Sequence, residues 1–216
     1  MPFSSVLGAS SVIKPGVCTS ATRPTVPYEG QLIYETDTDM VAAYNGSAWV
    51  YTHSSGLVLI RTRTFSTASS VAEDSVFTST YQNYLLIYDL TAATGTNSDL
   101  QYYFRSSGTD TTTGYVTEFQ TQYAGTLTSG EVASGLIGAV HTSYPTYSQG
   151  TVNIHSPQAA RAKILLVNAG WVSSLGQPRQ LRFFTYNGST TQFDGIKIFP
   201  SAGTITGTMR IYGYRN

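Results

Sequence analysis

Charge is scarce in this chain of 216 residues. Twelve Lys and Arg balance twelve Asp and Glu, so 11% of residues are charged and the formal net charge is zero; about 25% is usual. Without clustered cations, nucleic-acid binding has no electrostatic footing. Cysteine is nearly absent too. Cys18 stands alone, which excludes an internal disulfide and any CxxC redox or metal pair; it reads as a small, partly buried apolar residue. Long apolar runs are missing. Leu57–Ile60 and Ile164–Val167 are among the longest, far below the ~20 residues that span a bilayer, so no membrane insertion is expected. The opening MPFSSVLGASSVIKPG has no basic residue ahead of its weakly apolar stretch. No secretory signal is read there, and folding in a cytoplasm is expected.

Catalytic signatures are absent as well. There is no GxSxG elbow, no HExxH and no Gly-rich loop ending in GK. His53, His141 and His155 are isolated from one another in sequence. Asp37 and Asp39 form a DxD, but within a Thr/Asp turn that explains both residues. Glu118 with Asp110 or Glu131 is the carboxylate pairing that glycoside cleavage would use. The reading is a non-enzyme that needs no metal and no organic cofactor.

What fills the chain instead is 31 Thr and 25 Ser, with 20 Gly and 16 Tyr. At 41% hydrophobic and 12% aromatic, it can build a core and is not a disordered chain. Helical periodicity is almost missing, while two-residue alternation recurs between Ser/Thr/Gly turns. The fold class read from this is all-β, in two regions parted by a linker at 54–56.

Residues 1–53 start with an arm, 1–20, poor in large apolar groups. A three-stranded meander follows, with strands at Gln31–Glu35, Met40–Tyr44 and Ala48–Tyr51. Thr36-Asp37-Thr38-Asp39 turns the chain once and Asn45-Gly46 turns it again. So small a sheet needs a partner surface to be stable.

Residues 57–216 hold strands near 57–63, 83–90, 99–105, 115–123, 136–141, 151–155, 161–168, 179–186, 193–199 and 207–214. Leu100, Tyr102 and Phe104 share one face of theirs; Leu181, Phe183 and Thr185 oppose Arg182 and Phe184. Tyr84–Leu90 and Ile164–Val167 are apolar on both faces, the mark of central strands. Short strands without intervening helices predict an antiparallel β-sandwich. Tyr144 and Tyr147, held around Pro145, are candidates for stacking on sugar rings or for receptor contact.

One stretch carries a family likeness. Arg23-Pro24, Gly30-Gln31, Leu32-Ile33-Tyr34, Glu35-Thr36-Asp37-Thr38, Tyr44-Asn45-Gly46 and Trp49 together resemble a segment found near the start of tail-fibre, minor tail and head-fibre proteins of tailed phages. FTSTYQNYLLIYDL (77–90), LQYYFRSSG (100–108) and SAGTITGTMRIYGYR (201–215) are similar to phage fibre and decoration domains of the jelly-roll type. The resemblance implies a structural or adhesion protein of the virion, made in the host cytoplasm and assembled as a homotrimer. It implies that residues 1–53 bind other virion proteins, with Arg23, Tyr28, Tyr34, Tyr44 and Trp49 as candidate attachment residues. Residues 57–216 would form an outward-facing, jelly-roll-like domain that meets a host surface glycan or protein. The alternatives are a carbohydrate-binding module and a small polysaccharide-degrading β-sandwich enzyme.

Overall fold

The computed structural model describes residues 15–52, 56–94, 98–123, 126–132, 148–172 and 178–215. Among them there is no helix, and the chain divides into two compact units, Met1–Ser55 and Gly56–Asn216.

The first unit is a single sheet of β1 (Gly16–Cys18), β2 (Leu32–Glu35), β3 (Met40–Tyr44) and β4 (Trp49–Tyr51), in that spatial order. Strands β2, β3 and β4 form the expected antiparallel meander. The end of the supposed arm adds a fourth strand: β1 runs parallel to β2, Gly16 opposite Ile33 and Cys18 opposite Glu35. Its three residues show no alternation long enough to read from sequence. The second turn follows its chemistry. Asn45 Oδ1 accepts from the N–H groups of Ser47 and Ala48 at 3.0 and 2.8 Å, and Gly46 supplies a φ of 91°.

The second unit holds β5 (Leu57–Ala68), β6 (Val71–Glu73), β7 (Asn83–Thr94), β8 (Leu100–Ser106), β9 (Thr109–Asp110) and β10 (Tyr115–Tyr123). After these come β11 (Thr126–Val132), β12 (Ser148–His155), β13 (Lys163–Val172), β14 (Pro178–Asn187), β15 (Gly195–Pro200) and β16 (Thr204–Tyr214). Eight of these strands make one antiparallel sheet, in the order β11-β10-β14-β13-β12-β7-β16-β5. Four make a second, β6-β15-β8-β9. One apolar cluster takes side chains from both sheets, so the pair is a β-sandwich, as the alternation predicts.

The alternation fixes which residues enter that cluster. Tyr84, Leu86, Tyr88 and Leu90 of β7 face inward, as do Leu100, Tyr102 and Phe104 of β8 and Ile196 and Ile198 of β15. The Tyr88 hydroxyl lies where a side chain at residue 150 would begin, 2.3 Å from the position of a Cβ, so Gly150 is a packing requirement. Strands β7 and β13 are interior to the large sheet, as their apolar faces imply. The predicted strand at 136–141 and the Tyr144 and Tyr147 loop lie outside the described residues.

Candidate interaction surfaces

In the first unit, Glu35 organises one face of the sheet. Its side chain is fully enclosed. One carboxylate oxygen accepts from Arg23 Nε at 2.5 Å, and the other from the Tyr51 hydroxyl at 3.0 Å and the Thr38 hydroxyl at 3.2 Å. Arg23 Nη2 also donates to the Tyr51 oxygen at 3.2 Å, and its guanidinium lies 5.9 Å from that ring's centre. The bond from Arg23 is the main cause holding the Glu35 carboxyl below its ordinary range. Arg23 sits in the segment crossing from β1 to β2, so the ion pair ties the crossover to the sheet. Close by, Ser20 donates its N–H and its hydroxyl to the two Asp37 oxygens at 2.9 and 2.5 Å. The Tyr34 hydroxyl donates to Asp39 at 2.7 Å. The DxD carboxylates are thus turn residues.

Of the five candidate attachment residues, three serve the sheet itself. Arg23 is committed to Glu35. Tyr44 and Trp49 are directly opposed on β3 and β4, half-buried, with rings 5.4 Å apart. Tyr28 is 69% exposed. Strand alternation puts Tyr34 on the other face, with Val17, Leu32 and Val50, and these three are exposed. Sequence reasoning missed Glu35 as the organiser, because a lone carboxylate in a strand gives no sign of burial. It missed the exposed apolar face because β1 was not read.

In the second unit the surface of interest is the outer face of the eight-stranded sheet. Cross-strand register aligns Val116, Tyr186 and Ile164 in one row. A second row runs Glu131, Glu118, Phe184, Leu166, Asn153, Leu85, Tyr212 and Leu59. Val116, Leu166, Phe184, Tyr186 and Leu59 are exposed, from 37% at Leu166 to 54% at Leu59. The central strands are therefore apolar on both faces without being covered on both. At the β10–β11 end this face hollows into a concavity of about 560 Å³, lined by Glu118, Gln120, Glu131, Asn168, Arg182 and Phe184 among others.

Glu118 and Glu131 are directly opposed and exposed. Like charges in that register repel across the ladder. Glu131→Gln is expected to stabilise the unit by about 0.2–1 kcal/mol, read as a higher urea midpoint; a lower midpoint would show that another group compensates the pair. Asp110, the other candidate partner of Glu118, is in the small sheet. There it pairs with Arg105 and, at 2.6 Å, with Lys197. Among the described residues no group of three or more His, Cys, Asp or Glu could hold a metal ion.

A buried cation supports the same sheet from inside. Lys163 of β13 is fully enclosed and donates to the carbonyls of Ser189, at 3.0 Å, and Thr191. It lies 4.9 Å from the Phe193 ring centre. Burial pushes its ammonium below the ordinary lysine range. Its role is to hold the segment between β14 and β15 against the core.

Comparison of the chain with family models, with curated proteins and with solved structures finds no match in any of the three.

Proposed function

We propose that this chain is a non-enzymatic structural and adhesion component of a tailed-phage particle, a tail fibre or receptor-binding protein, or a capsid decoration or head-fibre protein. The observation that carries the reading is topological. Set aside β10, β11, β13 and β14, and the sandwich keeps eight strands, ordered β5-β16-β7-β12 and β6-β15-β8-β9. That order agrees with the wrapping of a jelly roll and so supports the virion resemblance; the two remaining hairpins widen one sheet. The separate small sheet carries the Arg23–Trp49 segment, which supports its role as the attachment unit.

On this reading the chain forms a homotrimer in the virion. Residues 1–53 bind other virion proteins, and the sandwich meets a host surface glycan or protein. The exposed face with Val17, Leu32, Tyr34 and Val50, together with Tyr28, is the attachment surface. Arg23, Tyr44 and Trp49 maintain it from behind. Incorporation of variants into particles tests this. Removing residues 1–53 is expected to leave a soluble β-rich fragment that no longer joins the particle, and Leu32→Lys with Val50→Lys in the full chain is expected to abolish incorporation. Wild-type levels of incorporation for either variant would move attachment to the sandwich.

The concavity supports a second reading, a carbohydrate-binding module. Phe184 offers an apolar ring, and Arg182, Asn168 and Gln120 offer hydrogen bonds to hydroxyl groups. The opposed Glu118 and Glu131 extend that alternative to a polysaccharide-degrading enzyme. Both carboxylates are exposed, whereas a general acid at neutral pH needs an apolar enclosure. Saturable sugar binding by a monomer would favour the module, and a falling polymer viscosity the enzyme.

A further inference from the structure

We infer that the outer face of the eight-stranded sheet is where copies of this chain meet, its β11-to-β13 half packing on the β12-to-β5 half of the next copy. The inference rests on the trimer reading above and assigns its surface.

Three observations carry it. The first is the apolar band. Val116, Tyr186, Phe184 and Leu166 lie on one half and Leu59 on the other, with Leu85, Ile87 and Tyr212 half-buried beside it. Apolar groups gathered in two adjacent cross-strand rows mark an association site, unlike apolar groups scattered singly. Among the described residues of this unit, five of the six exposed large apolar side chains are in that band; Leu127 on the edge strand β11 is the sixth.

The second is area. Eight strands about 4.8 Å apart give a face roughly 38 Å wide, and four rows of side chains add about 20 Å of length. The product is roughly 800 Å² per copy, about 400 Å² against each of two neighbours; that is half of what each partner contributes to a stable pair, so the assembly holds only as a closed ring in which every copy buries the whole face.

The third is charge. Glu118 and Glu131 stand at the β10–β11 end, and Arg210 stands on β16 near the opposite edge. Among the described residues none of the three has an ion pair. Asp89, the acid nearer to Arg210 on this face, accepts from Gln149 at 3.2 Å. Across about six strand spacings these charges cannot meet within one copy. When unlike halves meet they do, and the crowded carboxylate pair gains a cation. Unlike halves meeting head to tail close into a ring when the rotation from copy to copy returns to its start, and a three-fold assembly requires that closure.

The test uses the full chain and light scattering after gel filtration. Wild type is expected at about three times 23.3 kDa. Leu166→Lys with Phe184→Lys changes only exposed side chains and is expected to weaken assembly about thirtyfold or more, giving a monomer at micromolar concentration with an unchanged far-ultraviolet spectrum. Arg210→Glu should weaken the trimer, and adding Glu118→Lys and Glu131→Lys to that chain should restore it. This charge reversal decides the matter if the double lysine variant fails to fold. A wild-type trimer that Arg210→Glu and the lysine pair leave intact overturns the face assignment alone. A wild-type monomer overturns the trimer reading with it.

Discussion

Replacing Phe104 by Ala is expected to destabilise the sandwich by about 3–5 kcal/mol. Phe104 projects from β8 of the small sheet and is fully buried. Its ring lies parallel to that of Phe193, 4.7 Å away, with Tyr115 at 6.4 Å and Phe77 at 6.5 Å. Tyr115 comes from β10 of the large sheet. Its hydroxyl accepts from the Phe104 N–H at 3.0 Å and donates to the Thr111 carbonyl at 2.9 Å. The position therefore joins the two sheets and the loop between β9 and β10. Truncation removes the ring's transfer energy and leaves a cavity that three fixed aromatic neighbours cannot close. Phe104→Leu should cost less, because most of the volume stays. Urea unfolding of the full chain, followed by near-ultraviolet dichroism of the tyrosines, measures both. A loss under about 1 kcal/mol for the alanine variant would show that this aromatic stack does not hold the sheets together.

The second large effect is expected in the other unit. Glu35→Ala should unfold the four-stranded sheet while leaving the sandwich transition where it was. Removing the carboxylate strands the Arg23 guanidinium and the Tyr51 and Thr38 hydroxyls, all of which Glu35 satisfies. A sheet this small has little apolar burial to offset the loss. The pH dependence has a definite sign. The folded Glu35 carboxyl titrates below its ordinary range, chiefly because of the Arg23 bond. The unfolded chain therefore binds more protons in the interval between the two values. The stabilisation is complete above the ordinary glutamate range and is lost as pH falls through the lowered folded value. Amide protection in β2 and β3, taken relative to the intrinsic exchange rate at each pH, should fall on acidification before protection in β7 and β13 does. An equal loss of protection in both units would remove Glu35 as the cause.

Much of the architecture was legible because it rests on local chemistry. Alternation placed Leu100, Tyr102 and Phe104 on one face, and turn residues placed β2, β3 and β4. Strands β1, β6 and β9 were not legible, having three, three and two residues; pairing partners define them, not their own pattern. Strand β11 escaped for a different reason. Thr126–Val132 is exposed wherever its side chains are described, so it carries no buried alternation to read. The pattern at Tyr84–Leu90 and Ile164–Val167 was visible but had two meanings. Apolarity on both faces marks a strand covered on both sides or a strand with one face left exposed, and only the burial of each residue in the fold separates them. The Arg23–Trp49 segment was read as attachment side chains. In the fold Arg23 also pairs with Glu35, and Tyr44 and Trp49, half-buried, pack on each other, since aromatic and cationic residues are equally suited to an interface and to the support of a small sheet.

The direction of the strands in the first unit governs how it carries load. Strands β1, β2 and β4 point the same way and β3 runs against them. The chain therefore enters at one end of the sheet, on one edge, and leaves at the other end, on the opposite edge. Tension along the chain pulls these edges past each other lengthwise. Each ladder is then sheared, with its hydrogen bonds strained together, instead of being peeled open one bond at a time. The Arg23–Glu35 bond bridges the crossover between the first two strands and resists the same displacement. A sheet of four short strands, weak against heat or acid, is by this geometry suited to withstand a steady pull.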